Sequence, residues 1–240
     1  MKEGWAVKSI DEICTISGGG TPSKAVAEYW RGDIPWVSPK DMKSEEIVDS
    51  IDHVSPRAIQ ESATSLIQPG AVLIVVRSGI LARTIPLAVA GAQVAINQDI
   101  KALSPHTLVD SRFMFLQLLA RTPDLLAFVS RGATVHRLGT EFIRGLKVVL
   151  PPLHEQQRIV AILDEAFAAI ATAKANAEKN LENTKRLNHG ILDTVFSPLA
   201  QNENLLKRLD SVSAILNGYA FKSSDFSASA RLKCGACQRL

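Results

Sequence analysis

Cysteine, methionine and aromatic residues are all sparse in this 240-residue chain, with three Cys, three Met and an aromatic share of 5%. Three cysteines make no disulfide framework, and the lone CxxC of Cys234 and Cys237, with no second pair or nearby histidine, is at most half of a zinc site or a redox pair. No apolar run reaches the roughly 18 residues of a membrane span; the longest are AVLIVV and IPLAVAGAQVAI. The opening MKEGWAVKSIDE lacks an apolar signal region, so the expectation is a reducing, cytoplasmic setting without a membrane. Catalytic signatures are missing too: there is no HExxH, no GxSxG, no dinucleotide fingerprint and no GxxxxGK[ST]. His53, His106, His136, His154 and His189 are isolated from one another in sequence. The expectation is therefore no catalytic residue, no metal and no cofactor. One alternative stays open, a Mg-dependent endonuclease in which Asp41 and Asp99 hold the ion and Lys101 positions water. Asp99-Ile100-Lys101 on a strand would put both charged residues on one face for ordinary reasons as well.

What is present is an uneven charge pattern. From Asp11 to Glu61 five Lys/Arg stand against ten Asp/Glu, and from Val72 to Lys147 nine stand against four, although the whole chain carries only +3. Such polarity lays a basic face on one side of a fold, as a nucleic-acid binder requires, or lets the two segments pair with each other. Residues 1–150 mix β-like runs (IPWV, AVLIVVR, TIPLAVA, QVAI) with helical stretches (SPRAIQESATSL, SRFMFLQLLA, TPDLLAFVS), each of the latter opened by Ser or Thr. No regular βαβ rhythm appears, so the fold class is α+β, an irregular mixed domain.

After Pro151-Pro152 the texture changes to 44 residues, Leu153 to Phe196, with no proline and one glycine. Flanked by Pro152 and Pro198, the segment reads as one long coiled-coil-type helix over 151–198. Ile159, Ala166, Ala173, Asn180 and Leu187 form one row at seven-residue spacing, and Leu163, Ile170, Ala177, Thr184 and Ile191 the other. This a/d seam predicts a helical partner, with Asn180 fixing register.

Two further features carry a resemblance. LPPLHEQQRIVAILDEAFAAI, with the order of SGGGTPSK, IPWVSPKDM, LIQPGAVLIVVRSGI, INQDIKAL and GATVHRLGTEFIRGLKVVLPP before it, resembles the specificity (S) subunits of type I restriction-modification systems over residues 1–198. The stretch LKRLDSVSAILNGYAF, Leu206 to Phe221, echoes VKSIDEICTISGGGTP at an offset of 199 residues. The resemblance implies a target-recognition domain at 1–150, a spacer helix at 151–198, the start of a second, truncated recognition domain at 199–226, and an unmatched tail at 227–240. It also implies a non-catalytic subunit that lends target choice to methyltransferase (M) and restriction (R) subunits on double-stranded DNA. With one domain and one helix, two copies are expected to pair through the helices as a homodimer on a bipartite site. A coiled-coil adaptor that binds no DNA is the remaining alternative.

Base reading needs paired donors or acceptors on loops, and phosphate contacts supply register and salt-sensitive affinity. Ser17, Thr21, Ser23 and Lys24 of the glycine-rich stretch are candidates, although a tight turn explains the glycines equally well. Lys40 follows Ser38-Pro39. Arg77, Ser78, Arg83 and Thr84 surround a strand connection, where the arginines suit guanine or simply solvent. Asn97 and Gln98 suit adenine, or serve a polar turn. Arg131, Thr134, His136 and Arg137 fit a phosphate-facing loop, or plain exposure.

Overall fold

The computed structural model describes residues 4–200; the echo at 206–221, most of the expected second-domain start at 199–226 and the tail at 227–240 lie outside them. Strand β1 (Ala6–Ser9) enters a single helical turn, α1 (Ile10–Ile13). Glu12 Oε2 reaches back to accept from the Ser9 N–H and hydroxyl, both at 2.7 Å, as in a capping box. These bonds and the pairing with Lys8 pull the Glu12 carboxyl down to about 2. The chain continues through β2 (Cys14–Gly18), a 3-10 turn at Ala27–Trp30, β3 (Ile34–Val37), β4 (Glu46–Ile47) and β5 (Asp52–Val54). Helix α2 (Pro56–Glu61) starts where Ser55 accepts from the Ala58 N–H and Pro56 fills a position that needs no donor.

Next come β6 (Ser65–Ile67), β7 (Val72–Val75), β8 (Arg77–Ser78), a 3-10 turn at Gly79–Ala82, β9 (Leu87–Ala90), β10 (Val94–Ile96) and β11 (Ile100–Pro105). The helical stretch expected to run to Leu66 therefore stops at Glu61, because Ser65, Leu66 and Ile67 pair antiparallel with β10. Helices α3 (Ser111–Ala120) and α4 (Thr122–Ala127) follow. Their caps correct the sequence reading. Asp110, not a serine, accepts from Phe113 N at 2.8 Å, and α4 has no side-chain cap. The domain closes with β12 (His136–Arg137), α5 (Thr140–Gly145) and β13 (Lys147–Leu150), before α6 (Leu153–Ala200).

The strands form a five-stranded sheet, β2-β11-β7-β9-β4, a four-stranded sheet, β5-β3-β10-β6, and two ribbons, β1-β13 and β8-β12. Strand β7, Val72-Leu73-Ile74-Val75, is buried throughout at the centre of the first sheet, which explains its unbroken apolar run. The main core joins this sheet to α3 through Met114, Phe115 and Leu118. Cys14 belongs to that core; burial pushes its thiol up to about 12, so it packs as a small apolar residue. A smaller cluster of Trp36, Val54, Ala58 and Ala95 sits under the second sheet, with Tyr29, Trp30, Ile34 and Ile59 against it.

The first compact unit runs to Ala171 and so takes in the opening turns of α6 as well as the domain before it. Gln156 explains the HEQQ stretch. Its side chain is fully buried, accepting from Asp110 N at 2.8 Å and donating to the carbonyls of Leu108 and Pro151 at 3.0 and 2.8 Å. One amide thus satisfies three backbone groups from two segments. Val160 and Leu163 pack on the main core, and Arg112 on α3 bridges Asp164 and Glu45.

The second unit begins at Thr172. From Glu165 to Pro198 every helix residue is exposed. Of the expected seam, Leu163 is covered by its own domain and Ile159 is half-buried, whereas Ala166, Ile170, Ala173, Ala177, Asn180, Thr184, Leu187 and Ile191 are exposed. The helix runs through Pro198 rather than ending before it. A proline there forfeits the hydrogen bond of its own missing N–H and crowds the carbonyl one turn back, a cost confined to the last turn of the helix.

Candidate nucleic-acid interface

Three consecutive residues between β10 and β11, Asn97-Gln98-Asp99, organise the loop surface. Asn97 is 5% exposed; its amide Nδ2 donates to Asp99 Oδ2 at 3.2 Å and its Oδ1 accepts from Asp99 N at 3.0 Å. It acts as the polar turn that the sequence also allowed, and its amide is not offered outward. Gln98 is exposed and Asp99 only partly so, and each turns to a different cleft.

The first cleft, about 740 Å³, gathers five of the residues singled out in the sequence: Thr21, Lys24, Lys40, Asn97 and Gln98. Thr21 Oγ1 donates to Gln98 Oε1 at 2.6 Å, which orients the Gln98 amide and leaves Nε2 free as a donor. Lys40 pairs with Asp52 at 2.6 Å, and that bond raises its pKa. Lys24 and Arg31 line the same cleft without an ion-pair partner among the described residues.

The glycines of SGGGTPSK have a structural role. A Cβ on Gly19 would stand 1.9 Å from the Ile96 carbonyl oxygen, and Gly20 N donates to that same oxygen at 3.1 Å. The loop lies directly on the end of β10, an approach closed to any side chain. This brings Thr21 to Gln98.

The second cleft, about 370 Å³, is lined by Arg77, Ser78, Gly79, Asp99, Val135 and Arg137. Arg77 and Arg137 are cross-strand partners in the β8-β12 ribbon, and Arg77 Nε donates to Asp99 Oδ1 at 2.5 Å. Two like charges side by side repel, and Asp99 offsets one of them. Asp99 is engaged by Arg77 and Asn97, Asp41 accepts from Ser38 and from Ile51 N and lines a different cavity, and Lys101 lies over Gly18. No group of three His, Cys, Asp or Glu side chains suited to a metal occurs among the described residues. The endonuclease alternative does not fit this geometry.

The remaining candidates scatter. Ser17 lies on β2 opposite Ala102, Ser23 accepts from Ala25 N in a local turn, and Ser78 accepts from Ile80 N at the head of its 3-10 turn. Arg83, Thr84, Arg131 and Thr134 are exposed outside both clefts. His136 pairs with Ser78 across the ribbon, and its Nδ1 is buried without a hydrogen-bond partner. Sequence reasoning missed Trp30, Arg31, Trp36, Ser38 and Asp52, all of which line the first cleft. The local signal for Trp30 and Arg31 was their dipeptide beside a glycine, and Trp36 stood in the IPWV strand run; the fold alone brings Asp52 there through the β3-β5 pairing.

A family model described as the Type I restriction modification DNA specificity domain matches residues 2–183. The chain is 33% identical over 192 residues to the type I restriction enzyme EcoR124I/EcoR124II specificity subunit of Escherichia coli, covering 79% of this chain and 48% of that protein. It is 29% identical over 163 residues to the type I restriction enzyme MjaIX specificity subunit of Methanocaldococcus jannaschii, covering 66% and 37%. Among solved structures, a chain from work on complex assembly and conformational transition of the type I R-M system superposes with a TM-score of 0.67 at 25% identity, covering 82% of this chain and 46% of that one. The HsdS subunit from Thermoanaerobacter tengcongensis shares the fold, with a TM-score of 0.63 at 24% identity and coverage of 82% and 45%. The chain spans about half the length of the first of these curated relatives.

Proposed function

Because the chain belongs to the type I restriction modification DNA specificity domain family, we propose that it is a non-catalytic DNA-recognition subunit that directs methyltransferase and restriction subunits to their target. The observation that carries this reading is the convergence of Thr21, Lys24, Lys40 and Gln98 on one cleft inside the matched region. Lys24, Arg31, Arg83 and Arg131 have no ion-pair partner among the described residues and suit phosphate contacts, while Gln98 and the arginines of the second cleft suit base edges. Among the described residues no helix is long and apolar enough to cross a membrane, and the cytoplasm, where DNA is met, is the proposed location.

The finer proposal is a homodimer. The exposed part of the seam, Ile170, Ala177 and Ile191 of one row with Leu187 of the other, supports an antiparallel pairing with the helix of a second copy. The described residues carry one such domain, so two paired copies would bring two recognition domains to the DNA. Two identical domains about a two-fold axis imply an interrupted palindrome as target. Mapping of methylated sites in cells that carry the chain and its methyltransferase partner tests both levels. A palindromic bipartite site is the expected result; two unlike half-sites would remove the homodimer, and no sequence-specific methylation would remove the function.

A further inference from the structure

The first cleft has a composition that a reader of groove edges does not need. Two of the chain's three tryptophans, Trp30 and Trp36, line it, in a sequence where aromatic residues make up only 5%. They meet edge to face, with ring centroids 5.1 Å apart. Both indole N–H groups are engaged by backbone, Trp36 Nε1 with Gly20 O at 3.0 Å and Trp30 Nε1 with Ser23 O at 3.3 Å. What the rings present to the cleft is therefore carbon surface and π-electrons, with no free donor. Trp36 is 7% exposed, so Trp30 supplies most of this wall.

Around the indole stand Lys24 and Arg31, uncommitted, and Gln98, whose amide is oriented by Thr21 and retains a free donor. An aromatic wall, a directed amide and two unpaired cations match a planar heterocycle with a polar edge and an attached anion. That is the description of a nucleotide. At about 740 Å³ the cleft lies within the roughly 300–1,000 Å³ typical of ligand pockets. In a duplex, however, each base face is covered by its neighbours and only edges reach the grooves. A base that meets an indole must leave the stack.

We infer that the cleft around Trp30 seats a single nucleotide lifted out of the duplex, with its base against Trp30, its polar edge at Gln98 and its phosphate between Lys24 and Arg31. This rests on the reading of the chain as a DNA-recognition subunit. The nucleotide seat makes the domain sensitive to whether a strand is locally unpaired, in addition to its sequence. Lys40, held by Asp52, closes the lining of the cleft and is not required for the phosphate.

The test compares the full chain binding two duplexes of mixed sequence, identical except that one carries a single unpaired thymine, by fluorescence anisotropy. The unpaired duplex should bind about tenfold tighter, the usual scale of one base-aromatic stack. Trp30→Leu should abolish that preference, bringing the two duplexes to equal affinity. Trp30→Phe, which keeps a ring but loses the bond to Ser23, should retain most of it and shows that the site still folds. Equal binding of the two duplexes by the wild-type chain overturns the nucleotide seat while leaving DNA recognition in place. So does a Trp30→Leu effect of equal size on both duplexes. Absence of binding to either duplex overturns the functional reading with it.

Discussion

The recognition domain and the distal part of α6 dispose of their apolar residues in opposite ways. Up to Leu163 the large aliphatic side chains are mostly buried on shared cores, and the loop surface carries the charge. Beyond Glu165, Phe167, Ile170, Leu181, Leu187, Ile191, Leu192, Val195 and Phe196 are all 44% or more exposed. Exposed apolar surface on this scale commonly marks an interaction site. The first region buries its apolar side chains within itself; the second leaves them exposed, as the proposed pairing of helices requires. Changes in either should leave the other's property intact.

The largest expected effect follows from Leu187→Glu combined with Ile191→Glu. Both side chains are more than half exposed, so the domain should keep its melting temperature. Self-association, followed by analytical ultracentrifugation, should weaken about a hundredfold or more, since buried interface anchors are each worth ~2 kcal/mol or above. Next in size is Gln156→Ala, which strands Asp110 N, Leu108 O and Pro151 O. Urea denaturation should show a loss of about 3 kcal/mol, given ~1–3 kcal/mol for each buried group left unpaired. Helix pairing below the transition should be unchanged.

Smaller effects sharpen the charged side of the contrast. Asp99→Asn keeps the turn with Asn97 but removes the counter-charge of Arg77. Duplex affinity should rise a few-fold, and its logarithmic salt dependence should steepen by about 0.9, the signature of one more phosphate contact. The mildest change is Glu12→Gln at the β1-α1 junction. The folded Glu12 carboxyl sits at about 2 against an ordinary 4.5, so the native state favours its charged form. Its contribution is complete above about pH 4.5 and is lost as pH falls through about 2. The melting-temperature gap between Glu12→Gln and wild type should therefore narrow over that interval.

The α+β class and the strand runs at 34–37, 72–75, 87–90 and 94–96 were legible because β-branched runs bounded by Gly and Pro have few other uses. The end of α2 was not. Ser62 to Leu66 has no propensity strong enough to resist the edge of β10, and that partner lies some thirty residues away. In the first cleft, Thr21 and Gln98 were visible as polar residues beside turns, but their meeting depends on Gly19 lying against Ile96. Arg77 looked free in sequence because nothing local announces that Asp99 will neutralise it. The seam at Leu163 was assigned to a partner helix because heptad spacing alone does not distinguish a neighbour in another chain from the chain's own core.

The turn at 97–99 has a bearing on how such a protein could be retargeted. Gln98 is held by Thr21, Asp99 restrains Arg77, and the buried Asn97 fixes Asp99 through two hydrogen bonds. A library that varies these positions one at a time would mostly sample broken hydrogen bonds. Randomising residues 21, 77, 98 and 99 as one cassette, with Asn97 kept, would instead search for replacement sets in which both clefts change their preferences together.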